Sequence, residues 1–286
     1  MAVFSEIWTG EMIKSFRTQG QGWYDRIRSY DQYVNNNVIH FTEIGGDPDV
    51  LVNNTTYPLN IQELSDTDKA ISLDRFDTTA TPVTDDELHA CSYDRMASVL
   101  ERHREALREK EISKALHAIA PAEAQVQTAG GSGDYALTFQ DILKLKMEMD
   151  KKNVPLNDRV LVLSSDAVYG LLETEQKFRE HYNINQTEGK ITRLYGFDIY
   201  ESNQLPTTDD AGKKAAFGQK GRYKMTAVAF CPSRVMKAGG TVDFYHSEAK
   251  NDPLHHRNLV NFRHWSVCLP LKDDLTFAVW SSYHEA

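Results

Sequence analysis

The spacing of apolar residues changes several times along the chain, and each change predicts a different element. Residues 4–18 carry Phe4, Ile7, Trp8, Met12 and Phe16 at helical spacing. Gly20 and Gly22 are expected to break that helix. An amphipathic helix must bury its stripe, against either the rest of the chain or a neighbouring subunit. Between residues 35 and 80 the pattern differs. VIHFTEI (38–44) and Ala70 to Phe76 read as strands, separated by Gly45, Gly46, Pro48, Asn53, Asn54 and Pro58. Turn-formers at this density predict a long two-stranded excursion rather than a core element. A lone hairpin is marginal in water, so one of this length needs a partner surface.

The longest element follows. Thr84 and Glu87 have the spacing of a capping box, and Asp85 and Asp86 suit the positive end of a helix dipole. Leu88, Met96, Val99, Leu100, Leu107, Ile112, Leu116 and Ile119 recur at threes and fours until Pro121. Unbroken, this helix covers about 35 residues, roughly 50 Å. Its middle, ERHREALREKE (101–111), is charged nearly all round, which predicts one buried stripe and an otherwise solvated surface.

Beyond Gly130, Gly131 and Gly133 the pattern mixes helix and strand. Thr138 is expected to cap a helix carrying Phe139, Ile142 and Leu143 that ends before Pro155. RVLVLS (159–164) is apolar throughout, as in a strand covered on both faces. Ser165 and Asp166 open a helix with Val168, Leu171 and Leu172, and ITRLYGFDIYES (191–202) holds two more strands before the polar LPTTDDAGKK loop. From Met225 onward come TAVAF, a short helix started by Pro232, VDFYHSE, FRHWSVCLPL and LTFAVWSS. Their alternation suggests antiparallel strands. No internal repeat or low-complexity tract interrupts the series.

Composition narrows the function. The 286 residues are 41% hydrophobic and 26% charged, enough for one large or two modest cores. A net charge of -9 disfavours tight electrostatic binding to nucleic acid or to an anionic membrane. No apolar run approaches the roughly 20 residues that span a bilayer, and Glu6 and Glu11 interrupt the start where a signal peptide would be apolar. Cys91, Cys231 and Cys268 lie far apart, predicting buried reduced thiols rather than a disulfide framework.

Motifs for chemistry are almost missing. GGSGD (130–134) lacks both dinucleotide and P-loop spacing and reads as a linker. His255, His256 and His264 have no suitably spaced Cys or carboxylate, and adjacent strand residues face opposite ways. Asp47 and Asp49 flank a Pro in a turn that needs no cation, and Cys231, after TAVAF, reads as buried and inert despite a possible helix start at Pro232. The Asn-Asn-Thr and Asn-Gln-Thr triplets match glycosylation acceptors only in a secreted chain. No Gly-x-Ser-x-Gly elbow or His-Glu-x-x-His helix occurs. The residues therefore predict no catalytic, cofactor-binding or metal site.

The order of segments carries more. VPLNDRVLVLSSDAVYGLLETEQKF, then GKITRLYGFDIYESNQLP, and later TAVAFCPSRVMKAGG and LTFAVWSS, resemble the major capsid proteins of tailed double-stranded DNA bacteriophages, the Hong Kong (HK) type capsid fold. The resemblance covers essentially the whole chain. It implies an α+β fold with an N-terminal arm (1–34), an extended loop lying over an adjacent subunit (35–80) and a peripheral domain with a spine helix (81–125). An axial domain (126–221), whose tips meet at five-fold and six-fold vertices, and returning strands that complete both domains (222–286) would follow. It further implies a structural protein without enzymatic activity, a homo-oligomer of pentamers and hexamers in an icosahedral shell, assembled in the host bacterial cytoplasm and ending in the virion. A portal, a possible decoration protein, packaged DNA held without sequence-specific binding, and no membrane complete the expected partners. Since no long N-terminal scaffolding segment with a cleavage site is seen, a separate scaffolding protein is expected. Lys69 is the one lysine of the extended loop, and no motif marks an isopeptide partner for it. Two alternatives stay open: an encapsulin-like cargo compartment, which shares the fold, and a soluble α/β enzyme.

Overall fold

The computed structural model describes residues 22–43, 49–55, 57–59, 67–84, 95–128, 137–182, 190–209, 211–221, 223–251, 254–271 and 276–280. The stripe at 4–18 lies outside them. Gly22, expected to end a helix, instead opens the single turn α1 (Gly22–Asp25), followed by β1 (Arg28–Ser29) and β2 (Val34–Asn35). The excursion is formed by β3 (Val38–Glu43) and β4 (Thr67–Ser72), paired antiparallel from Val38↔Ser72 to Glu43↔Thr67. The strand expected from Ala70 to Phe76 is two strands. It breaks at the buried Leu73, whose N–H donates to the Asn37 carbonyl, and resumes as β5 (Asp74–Asp77) in a different sheet.

β6 (Thr81–Thr84) comes next, so Thr84 ends a strand, paired with Arg257. Residues 85–94, where the helix start was expected, lie outside the described residues. The helix α2 is described over Arg95–Ile119, about 38 Å at 1.5 Å per residue. Val99, Leu107, Ile112, Leu116 and Ile119 of the sequence stripe are buried, and so are His103 and Ala115. After β7 (Val126–Gln127), α3 (Phe139–Lys151) begins at Thr138 with a full capping box. The Asp141 N–H donates to Thr138 Oγ1, and the Thr138 N–H donates to Asp141 Oδ2.

β8 (Arg159–Leu163), α4 (Ser165–Thr174), α5 (Gln176–His181), β9 (Lys190–Leu194), β10 (Phe197–Glu201), β11 (Thr207–Thr208) and β12 (Tyr223–Phe230) follow. Ser164 caps α4, one residue before the expected start. Tyr195 and Gly196, at φ 51° and 90°, make the tight turn from β9 to β10. A 3-10 turn at Pro232–Arg234 leads into β13 (Val235–Ser247), then β14 (Arg257–Pro270) and β15 (Phe277–Trp280).

These strands form a seven-stranded mixed sheet, ordered β7-β15-β12-β8-β10-β9 with β11 beside β12, and a five-stranded sheet, ordered β1-β13-β14-β5 with β6 beside β14. β2, β3 and β4 make a third, small sheet. In the seven-stranded sheet β8 pairs parallel with β10 and antiparallel with β12. Its period of two explains the unbroken apolar run. Leu161 and Leu163 point to a core with Ile142, Leu145, Val168 and Leu171 of α3 and α4, whereas Val160 and Val162 point to one with Ile112, Leu116 and Ile119 of α2. Nearer its N-terminus α2 changes partners, and Leu107 packs on Val260 and Phe262 of the five-stranded sheet. One helix thus spans both sheets.

Candidate assembly surface

The paired strands β3 and β4 are anchored at one end and unburied at the other. At the base Ile39 is 0% exposed and packs with Leu73, Met236 and Val267. Six paired residues at about 3.4 Å each give the ribbon a length of roughly 20 Å. In the connection between its strands Val50, Leu51 and Val52 are 84%, 61% and 81% exposed, with Tyr57 and Leu59 also open to solvent. Scattered exposed apolar residues are ordinary, but three in a row within one connection are a candidate contact surface. A second unburied set, Leu143 and Met147, lies four residues apart along α3.

A groove of about 650 Å³ runs along α2. Val99, His103 and Leu107 line it from the helix, Phe76 from β5 and Phe217 from the loop after β11, while Arg75, Arg102 and Lys110 are its cations. Burial pushes the His103 imidazole below its ordinary pKa, so this wall of the groove favours the neutral ring.

The structure does not gather the sequence's candidate ligands. His255 and His256 sit at the exposed turn between β13 and β14, whereas His264 lies along β14 against Glu111. Among the described residues no group of three or more His, Cys, Asp or Glu is placed to hold a metal ion. Cys231 is buried with Sγ 3.1 Å from Ser233 Oγ, and Cys268 is buried too, its thiol pushed well up by loss of solvation. Lys69 is exposed on β4 opposite Phe41. GGSGD, Cys91 and Asp47 lie outside the described residues. No helix among the described residues is long and apolar enough to cross a membrane.

Sequence patterning missed the polar groups that tie the elements together. Glu111, read as part of a solvated run, is only 15% exposed at its side chain and accepts a 2.9 Å hydrogen bond from Tyr24 Oη. Arg159, read as an ordinary strand start, is 1% exposed, donates to the Pro155 and Val154 carbonyls and pairs with Asp150. The lone signal for Arg159 was its place beside an unbroken apolar strand. For Glu111 there was none, because its partners come from distant segments.

A family model described as phage capsid protein matches residues 66–246. The major capsid protein of Escherichia phage T5 is 28% identical over 125 residues, 42% of this chain and 27% of that protein, so the chain spans about a quarter of that curated relative. Among solved structures, the mature capsid of bacteriophage PhiM1 superposes with a TM-score of 0.65 at 12% identity, over 94% of this chain and 89% of that one. A virus-like particle from Pyrococcus furiosus does so at 0.56 and 11% identity, over 96% and 99%. At these identities the superpositions establish the fold.

Proposed function

The chain belongs to the phage capsid protein family, and from that footing we propose that it is the major shell-building subunit of a tailed double-stranded DNA phage. Families of this kind are structural, and the fold is a container's rather than an enzyme's. The observation that carries the reading within the chain is the β3–β4 ribbon, anchored by Ile39 at its base, with Val50, Leu51 and Val52 of its connection left exposed. Such a connection buries its apolar surface on a second copy, and repeating that contact around symmetry axes closes a shell.

In this reading residues 1–34 are the arm, 35–80 the extended loop, 81–125 the peripheral domain with α2 as spine, and 126–221 the axial domain. Residues 222–286 complete both domains. Pentamers and hexamers form in the host cytoplasm with a separate scaffolding protein, a portal and a possible decoration protein. The finished virion holds DNA without sequence-specific contacts, consistent with a net charge of -9 that gives a wall little hold on phosphate.

Negative-stain electron microscopy of the expressed protein, with and without its neighbouring genes, tests the proposal. Closed shells or capsomers are expected, and a strictly monomeric protein at high concentration with its scaffold present overturns it. The likeness to a virus-like particle favours a second reading, a cargo compartment. Particles from the native source holding double-stranded DNA support the phage head, and particles holding protein cargo instead support the compartment.

A further inference from the structure

Residues 22–31 contact α2 and both large sheets, and charged groups make many of those contacts. Trp23 and Ile27 are buried against α2 and the seven-stranded sheet, Trp23 lying edge-on to Phe230 at 6.0 Å. Between them the Arg26 guanidinium reaches β10 of the seven-stranded sheet. It donates to Asp198 Oδ2 at 2.7 Å and to Tyr200 Oη at 3.3 Å on β10, and pairs with Asp158 just before β8. On the other side the segment holds the five-stranded sheet. β1 pairs parallel with β13, the Tyr30 N–H donates to the Lys237 carbonyl at 2.8 Å, and the Gly239 N–H donates to Asp31 Oδ1 at 2.7 Å. Lys237 Nζ donates to the Tyr24 carbonyl at 2.9 Å and lies 4.4 Å from that ring's centre.

We propose that residues 22–31 are a charge-held tie between the two sheets, which acid loosens by neutralising Asp198 and Glu111. The inference concerns the single subunit and does not depend on what the subunit builds.

Asp198 faces Arg26 from the tie, Lys190 at 2.6 Å and Arg193 at 3.9 Å from β9, and Tyr200 and Asp158 from its own side. Glu111 faces Tyr24 from the tie and Arg108 along α2, with Lys237 across from it on β13 and His264, Ser266 and Cys268 on β14. Asp25 and Asp31 stand behind Lys237. Burial opposes the charge on both carboxylates. The neighbours Lys190 and Arg26 of one, and His264, Tyr24 and Ser266 of the other, outweigh it and hold both pKa values below the ordinary range. Their contribution is therefore complete above the unfolded-state carboxylate range and is lost as pH falls through the lower folded values. Once both are protonated, Arg26 and Lys190 lose the carboxylate between them, and Tyr24 and Lys237 lose the one they face, which favours an open tie.

Hydrogen exchange of the full-length unassembled subunit, normalised to intrinsic rates at each pH, tests this. Peptides covering 26–31 are expected to lose about tenfold or more of their protection between about pH 5 and pH 3 while β8 and β12 stay protected. Asp198→Asn and Glu111→Gln should move that loss toward neutral pH, and Arg26→Ala should show it already at neutral pH. If Arg26→Ala does not fold, Arg26→Lys, which keeps the charge but not the fork, should lose part of the protection. Loss of 26–31 and of β8 at the same pH would mean ordinary acid unfolding, and unchanged profiles in the Asp198 and Glu111 variants would mean that these groups do not hold the tie. Either result overturns the proposal.

Discussion

Replacing Val50, Leu51 and Val52 together by Ser separates the energetics of folding from those of assembly. Within one chain these side chains are 84%, 61% and 81% exposed, so removing them takes away almost no intramolecular burial. The subunit's stability should change by no more than about 0.5 kcal/mol, as for other surface substitutions. Between chains the balance reverses. Fully burying a Val or Leu side chain contributes about 1.5–3 kcal/mol, and the fraction these residues still expose makes about 1–2 kcal/mol each available to a contact. Three together supply about 4 kcal/mol per ribbon, or about a thousandfold in the association constant of each contact. The assay pairs calorimetric unfolding of the unassembled subunit with the threshold concentration for shell formation, read by light scattering and confirmed by electron microscopy. An unchanged unfolding temperature with a greatly raised threshold is expected. Shells at the wild-type threshold would show that these residues stay wet in the assembly. A fall in unfolding temperature of more than about 4 °C would show that they pack inside the subunit.

Thr138→Ala removes the hydroxyl that accepts the Asp141 N–H at the start of α3 and should cost about 1 kcal/mol, read as a lowered denaturant midpoint with unchanged slope. Gly212 has φ +77°, and a Cβ there would lie 2.6 Å from Trp280 Nε1. Gly212→Ala should therefore destabilise by about 1–3 kcal/mol and perturb tryptophan fluorescence, and a neutral result would place the loop elsewhere. Replacing residues 45–58 by a two-residue Asn-Gly turn should leave circular dichroism and unfolding temperature near native while abolishing stable shells. Intact shells from that variant would rule out the loop as a strap between subunits.

What could be read from the sequence was whatever depends on neighbours in the chain. The capping box of α3, the buried strand β8 and the stripe of α2 are each set by residues a few positions apart, and each appears as expected. Long-range packing hid the rest. Leu73 splits an apparently continuous strand because it must enter the core under β3 while its flanking residues pair in different sheets. β13 runs through Gly239 and Gly240 with a register shift that the sequence pattern does not signal. At Gly240 a Cβ would meet Leu73 and Trp265 at 3.0 and 3.1 Å, so the glycine answers a close approach rather than a chain reversal. The ribbon was legible from its turn-formers. The buried Glu111 was not, because Tyr24 lies 87 residues before it and His264 comes from the far end of the chain.

The division of apolar surface within the subunit bears on how a shell can form without error. Three of the cores join α2 or the helices α3 and α4 to sheet faces, and the fourth seats the ribbon base, so each is completed within a single chain. Among the described residues, the large apolar side chains left exposed include Val50, Leu51 and Val52 between β3 and β4, Leu143 and Met147 on α3, and Leu156, Tyr169 and Leu254 elsewhere. Contacts of a few kcal/mol each are weak enough for a misplaced subunit to leave, since dissociation speeds up about tenfold for every 1.4 kcal/mol withheld. In a closed shell each subunit makes several such contacts at once, and leaving then requires breaking them together. A more apolar connection would strengthen every contact, including wrong ones, and trap open aggregates. Marginal contact energy on a body whose cores are completed within one chain is thus the arrangement that lets a container close.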